Sequence, residues 1–162
     1  MTRELFQESA GSLARMIRSG ETSARAVAEA HLARIEAVNG AVNAVVEVRP
    51  NEVLAAADAA DQHIAAGHPV GPLHGVPFTV KVNIDVTGYA TTEGTAALAD
   101  RIAPSDSPTV ERMRAAGGVM LARTNMPARS SRRLGSSERA IPPTPATVPA
   151  SCPPPCLDSV RG

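Results

Sequence analysis

Lys81 is the residue of this sequence whose type and setting are best suited to chemistry. It is the single lysine of the chain, since the other members of the 16 basic residues are all arginine. Val80 and Val82 flank it, and partial burial of an amine favours its neutral, proton-accepting form. Such a lysine could act as a general base towards a serine hydroxyl. The alternative is a structural lysine whose stem packs on its neighbours while its ammonium stays in water.

The side chains that could bind a metal form no recognisable ligand set in the sequence. Cys152 and Cys156 flank three prolines and lack the second pair of ligands that a zinc site requires. Asp58, Asp61 and His63 belong to one predicted helix, but their spacing does not place all three on one face. No phosphate-loop or dinucleotide-binding glycine motif occurs, so we predict no metal and no cofactor. The histidines are too scattered to form a ligand set and lie at positions 31, 63, 68 and 74.

Alternation of apolar and polar residues predicts that Lys81 lies in a β-strand. One face of this strand is predicted to be apolar and the other polar, and a glycine-rich loop, residues 87–94, follows it. The apolar face would carry Val80, Val82, Ile84 and Val86, and the polar face Lys81, Asn83 and Asp85.

The other elements follow from helical or strand periodicity and from capping residues. A buried strand at 119–123 follows the helix that begins at Pro108. Strand, helix-bearing connection and strand is the order of a βαβ unit, which predicts parallel pairing with the strand of Lys81. Predicted helices cover 7–19 (ended by Gly20), 22–38 (ended by Asn39-Gly40), 52–66 and 108–116, and a further strand covers 41–48.

Composition predicts a soluble, cytoplasmic protein with a poorly structured end. The 16 basic and 16 acidic residues balance, so no net field attracts nucleic acid or an anionic membrane. No apolar run reaches the roughly 18–20 residues that span a bilayer, and the first residues lack a signal-peptide core. Half of the 14 prolines and both cysteines lie in 128–162. That segment has too little apolar surface to offset the entropy of ordering it, so we expect it to be disordered.

Two runs of the sequence resemble the amidase-signature enzymes. Gly71-Pro-Leu-His-Gly-Val-Pro-Phe-Thr-Val-Lys-Val-Asn-Ile-Asp85, followed by Thr91-Thr-Glu-Gly94, is similar to the stretch around that family's catalytic lysine. Residues 106–127 resemble the helix and strand that follow it, and the likeness covers 1–127 in order. It implies an α/β fold, a mixed sheet covered on both faces by helices, of which this chain holds an incomplete amino-terminal portion. It also implies that Lys81 is catalytic.

The resemblance implies a mechanism and shows where this sequence departs from it. The family's lysine ends a Ser–cis-Ser–Lys triad, and backbone N–H groups of a glycine-rich loop bind the oxyanion. Both serines lie downstream in a Gly-Gly-Ser-Ser-Gly-Gly region, whereas this chain continues as Ala128-Arg-Ser-Ser-Arg-Arg. Gly135-Ser136-Ser137 lacks the flanking glycines. We therefore expect a partial domain at 1–127 and a tail at 128–162, the tail being either out-of-frame translation or a native extension.

Three functions remain open at this point. The first is an amidase that converts a small carboxylic acid amide and water to acid and ammonia, inactive here because the triad serines are missing. The second is an A-type subunit of an amidotransferase from the same superfamily. The third is a non-catalytic remnant or interaction module. The sequence indicates no nucleic-acid or membrane partner and gives no oligomeric state.

Overall fold

The computed structural model describes residues 4–126, which form an α/β arrangement of four helices and three strands. Short 3-10 turns lie at Leu5–Gln7 and Ala96–Leu98. The helices are α1 (Ala10–Ser19), α2 (Ala24–Val42), α3 (Pro50–Ala65) and α4 (Pro108–Ala115), and the strands are β1 (Val45–Glu47), β2 (Pro77–Lys81) and β3 (Val119–Thr124).

The three strands form a mixed sheet with β3 in the centre. The strand order is β1-β3-β2, with β1 antiparallel and β2 parallel to β3. The β2 register pairs Lys81 with Thr124. The parallel pairing predicted from the βαβ order is therefore confirmed, and so is the mixed α/β sheet.

Helices cover both faces of this sheet. Successive residues of β3 point to opposite sides, so the strand contributes to a core on each face. Val119 and Leu121 belong to a core formed with α1, α2 and α3. Met120 belongs to a second core with Val80 and with Val110 of α4. Five of the six residues of β3 are buried, which makes this strand the centre of the domain.

Serine side chains cap the amino-terminal ends of three helices, and the first of these, predicted to start at residue 7, starts at Ala10 after Ser9. Ser9 accepts a hydrogen bond from Ser12 N–H at 3.1 Å, and Ser23 accepts one from Ala26 N–H at 3.0 Å. Ser107 accepts one from Val110 N–H at 3.5 Å. These bonds satisfy N–H groups that lack partners in the first turn of a helix.

The predicted end of α2 at Asn39-Gly40 is wrong. The helix continues to Val42 and ends where Asn43 adopts a left-handed conformation, with φ of 51°. Asn39 does not cap the helix because its side chain binds the following strand. Its amide donates to Val45 O at 2.8 Å and its carbonyl oxygen accepts from Val45 N–H at 2.9 Å. The strand predicted at 41–48 is correspondingly shorter.

The predicted length of the Lys81 strand is also wrong. Regular pairing ends at Lys81, because Lys81 O accepts a hydrogen bond from Ile84 N–H at 3.0 Å and the chain turns. The alternation extends past the strand to Val82, which is buried, and Asn83, which is exposed, whereas Ile84 and Asp85 are both half-buried. Alternating burial therefore continues beyond the ladder of hydrogen bonds from which a strand is recognised.

Two sequence predictions concern parts of the chain outside residues 4–126. The disordered tail at 128–162 and the domain boundary at 127 both lie there. Within residues 4–126, no helix is long and apolar enough to cross a membrane.

Candidate active site

Lys81 is the last residue of β2, at the edge where the parallel strands β2 and β3 end. Its side chain is exposed, and it makes no side-chain hydrogen bond or ion pair with another described residue. The flanking valines suggested that the Lys81 amine would be partly buried, but the described residues, 4–126, leave its side chain exposed. Neighbours in a strand point to opposite faces, so burial of Val80 and Val82 leaves the lysine on the other side.

The segment that leaves Lys81, residues 82–94, folds back onto the end of β2, and we call it the Lys81 loop. Glu93 N–H donates to Val82 O at 3.3 Å and closes the loop. Glu93 and Gly94 both have positive φ, 50° and 70°, which produces the tight return. The hydrogen bond and the turn therefore hold the end of this segment next to the residue that follows Lys81.

Arg123 lies beneath this loop and is completely buried, with 0% of its surface exposed. Its guanidinium donates to Ile84 O at 2.9 Å and to Ala90 O at 3.4 Å. Burial lowers the pKa of this guanidinium, although Glu47, Tyr89 and Asp85 oppose that shift. Its Nε has no hydrogen-bond partner among the described residues. The side chain is therefore a buried cation that binds backbone carbonyls.

Tyr89 belongs to the Lys81 loop, and two arginines from outside the loop lie near its ring. The guanidinium carbon of Arg49 is 3.7 Å from the centre of the tyrosine ring, and that of Arg123 is 6.0 Å away. The hydroxyl of Tyr89 donates to Glu52 at 3.2 Å. Burial raises the pKa of Tyr89, and the charge of Glu52 raises it further. Arg49 also donates to Gly88 O at 3.1 Å, so the loop is held on two sides.

Asp106 fixes the outer part of the loop. Its carboxylate accepts a hydrogen bond from Thr87 N–H at 2.7 Å and pairs with Arg114 at 2.8 Å. Burial alone would raise the pKa of Asp106, but the Thr87 bonds and the Arg114 charge outweigh it, so the pKa lies below its ordinary value. The loop is thereby tied to α4.

Five of the six described serines form hydrogen bonds at the ends of helices or within them, and none forms a hydrogen bond with Lys81. Three of them are the N-caps given above, and Ser12 and Ser19 bond to Met16 within α1. Ser105 is exposed and forms no hydrogen bond with Lys81. No serine hydroxyl among residues 4–126 is therefore hydrogen-bonded to the lysine. Ser136 and Ser137 lie outside the described residues.

Three of the four histidines lie close together in the structure, although they are separated in the sequence. The His63 ring centre lies 4.8 Å from that of His68 and 5.5 Å from that of His74. The loop after α3 folds back on the helix and brings them together, and His74 Nε2 lies 2.9 Å from Ala60 O. Even so, the described part of the chain holds no group of three or more His, Cys, Asp or Glu arranged to bind a metal.

Sequence reasoning did not identify Arg123, Tyr89 or Asp106. A signal existed for Arg123, because a charged residue in an otherwise apolar buried strand needs specific partners. Tyr89 and Asp106 gave no such signal. Their partners, Glu52 and Thr87, are distant in sequence.

Comparison with known proteins places this arrangement in a family. An indoleacetamide hydrolase of Bradyrhizobium diazoefficiens is 46% identical over 123 residues, which are 76% of this chain and 24% of that protein. The A-type subunit of the glutamyl-tRNA(Gln) amidotransferase of Salinispora tropica is 47% identical over 123 residues, 76% of this chain and 25% of that protein. The chain thus spans about a quarter of the length of these curated relatives.

The structural and family comparisons agree. The native peptide amidase of Stenotrophomonas maltophilia superposes with a TM-score of 0.69 at 33% identity, covering 74% of this chain and 25% of that one. The family model described as Amidase matches residues 26–144, which include Lys81 and cross the composition break at 128. The protein therefore belongs to the amidase family, the amidase-signature enzymes.

Proposed function

We propose that the protein takes part in hydrolysis of a carboxylic acid amide, with Lys81 as the proton acceptor of a Ser–cis-Ser–Lys site. The observation that carries the proposal is the position of the chain's single lysine at the carboxyl end of β2. Ligand-binding groups of open α/β sheets collect at that edge. The names of two relatives, an indoleacetamide hydrolase and a peptide amidase, indicate the same class of reaction.

In this reaction the side-chain nitrogen of Lys81 takes the proton that the nucleophilic serine loses, relayed through the second serine. The serine oxygen bonds to the amide carbon, and the negative charge moves to the carbonyl oxygen. The carbon–nitrogen bond then breaks as the lysine ammonium returns its proton to the nitrogen, which releases ammonia. Water attacks the acyl-serine by the same proton route, and the products are the carboxylic acid and free serine.

We further propose that the 162-residue chain alone does not complete this cycle. Five of the six described serines are hydrogen-bonded in helix caps or within α1, and none is hydrogen-bonded to Lys81. The sequence also contains no Gly-Gly-Ser-Ser-Gly-Gly run. A lysine base without a positioned hydroxyl cannot form the acyl-enzyme.

The test is ammonia release by the purified 162-residue chain from acetamide, benzamide and indole-3-acetamide. We expect no release above the buffer blank, and no labelling by a serine-reactive fluorophosphonate. Release that disappears in Lys81→Ala would show that a serine of this chain completes the site. Ser136→Ala and Ser137→Ala would then identify which serine it is.

A second candidate is the A-type subunit of an amidotransferase, which the Salinispora relative favours at 47% identity. The two functions differ in the fate of the nitrogen. A hydrolase releases ammonia into solution, whereas the relative's name describes transfer of an amido group to glutamyl-tRNA(Gln). Comparing free ammonia with amidation of added glutamyl-tRNA(Gln), in a version that carries the serines, distinguishes them.

A further inference from the structure

We propose that Arg123 is a positioning residue, whose buried guanidinium anchors the Lys81 loop to the central strand and so fixes the path of the chain leaving Lys81. Any effect of this anchoring on catalysis by Lys81 rests on the proposed function. The anchoring itself concerns the fold and can be measured without any turnover.

The first support is the set of groups that Arg123 binds. Its two acceptors, Ile84 O and Ala90 O, come from the two arms of the loop, and one planar guanidinium joins them. No backbone N–H of residues 4–126 donates to either carbonyl. Without the arginine, two carbonyls beside a buried side chain would lose their donor, which is costly in an apolar setting.

The second support is the burial of the charge. A fully buried cation is destabilising unless specific groups compensate for its lost hydration. Glu47 and Asp85 act on Arg123 through space, but no carboxylate of the described residues forms an ion pair with it. The direct hydrogen bonds instead go to the loop. An arginine that served only to fill the core could be replaced by an unbranched apolar side chain.

The third support is the position of Arg123 relative to the lysine. Arg123 pairs with Val80 in the β2–β3 register, and the next pair is Lys81 with Thr124. The anchor therefore lies one residue from the lysine along the sheet. Tyr89, between Arg123 and Arg49, extends the contact to the middle of the loop.

The test compares hydrogen–deuterium exchange in the full 162-residue chain and in Arg123→Met, which keeps a similar stem but removes the donors. Arg25→Met is the matched control for the loop, because Arg25 is a half-buried arginine whose ion pairs are with Asp58 and Glu29 of the helices. We expect exchange in residues 82–94 to accelerate at least about tenfold in Arg123→Met, since the loss of even one charge-assisted hydrogen bond corresponds to a change of that size. Exchange in α1, α2 and α3 should remain as in wild type in Arg123→Met, and the control should leave exchange in residues 82–94 unchanged.

A second readout uses the fact that Lys81 is the only lysine. Protein labelled with ε-¹³C-lysine gives one side-chain signal, which reports the surroundings of Lys81. We expect this signal to shift or broaden in Arg123→Met and to stay unchanged in Arg25→Met. A purely structural contribution of Arg123 to the core would lower overall stability without a selective change in this signal.

Two results with a folded Arg123→Met would overturn the proposal. One is a loop as protected in Arg123→Met as in wild type, and the other is faster exchange spread through α1, α2 and α3. If Arg123→Met does not fold, Arg123→Lys replaces it, since its ammonium keeps the charge and can bind one carbonyl. We then expect loosening confined to 82–94, and unfolding of this variant too would refute a local anchoring role. Because neither readout involves turnover, failure of the amidase proposal would be recognised separately.

Discussion

Lys81 and Thr124 are paired in register at the carboxyl ends of two parallel strands, where Val82 N–H donates to Thr124 O at 3.0 Å. The next residue of β3, Asn125, donates from its backbone to Ala44 O at 2.8 Å, so all three strands are joined near this edge. The backbone thus positions Lys81, while its side chain makes no hydrogen bond to a described residue. Replacing that side chain should therefore leave the fold intact and affect only chemistry.

The first prediction concerns Lys81 in a version of the protein that carries the family's serine region after residue 127. Lys81→Ala should lower the rate of ammonia release about 10²–10⁴-fold, the usual contribution of a general base. Lys81→Arg should lose nearly as much, because a guanidinium does not give up its proton at neutral pH. Circular dichroism of both variants should match wild type. A rate retained with arginine at this position would show that the lysine is structural.

The second prediction concerns the gene. The chain changes composition at Ala128, inside a sequence that otherwise resembles one family. We expect another reading frame beyond codon 127 to encode a region resembling Gly-Gly-Ser-Ser-Gly-Gly. Sequencing the locus and translating all three frames tests this directly. If neither alternative frame holds such a region, residues 128–162 are native sequence. The domain boundary at residue 127 would then have to move, in line with the family match, which extends to residue 144.

The third prediction concerns pH and Asp106. The pKa of Asp106 is depressed in the folded protein. Its ionised carboxylate therefore stabilises the fold fully at pH values above the pKa of an unfolded aspartate, about 3.9. This stabilisation is lost as the pH falls through the lower pKa that Asp106 has in the folded state. Asp106→Asn should lower the free energy of unfolding at pH 7 by about 1–3 kcal/mol, because the Thr87 N–H and Arg114 lose a charged acceptor.

Urea titrations between pH 7 and pH 2 measure this effect. The difference between wild type and Asp106→Asn should shrink as pH falls below about 4. Asp100→Asn, at an exposed position, is the control and should follow wild type. A difference that stays constant down to pH 2 would mean that the contribution of Asp106 does not depend on its charge.

Local patterns predicted more of the fold than of the site. The parallel pairing of β2 and β3 followed from element order, and Gly20 has the left-handed cap conformation, with φ of 74°, that its position suggested. The loop anchors could not be derived in this way. The Arg123–Ile84 bond joins residues 39 apart, and the pairing of Asp106 with Thr87 joins residues 19 apart. Such contacts depend on tertiary packing, which periodicity does not encode.

The same limit explains the error at the end of α2. Asn-Gly commonly ends a helix because both residues tolerate the left-handed conformation. Here the side chain of Asn39 binds Val45, and the helix passes through Gly40 without a positive φ. The two interpretations of Gly40, helix interior or helix end, make opposite predictions for one substitution.

The fourth prediction is that Gly40→Ala stabilises the protein. A glycine in an exposed helix interior costs about 0.5–1 kcal/mol relative to alanine, and a Cβ at Gly40 would meet nothing within 4 Å. Gly20→Ala is the matched control, because the positive φ of Gly20 makes a Cβ unfavourable although the space around it is equally open. Urea denaturation should show a higher midpoint for Gly40→Ala and a lower one for Gly20→Ala. If both substitutions lower the midpoint, α2 ends at Gly40 in solution, as the sequence alone suggested.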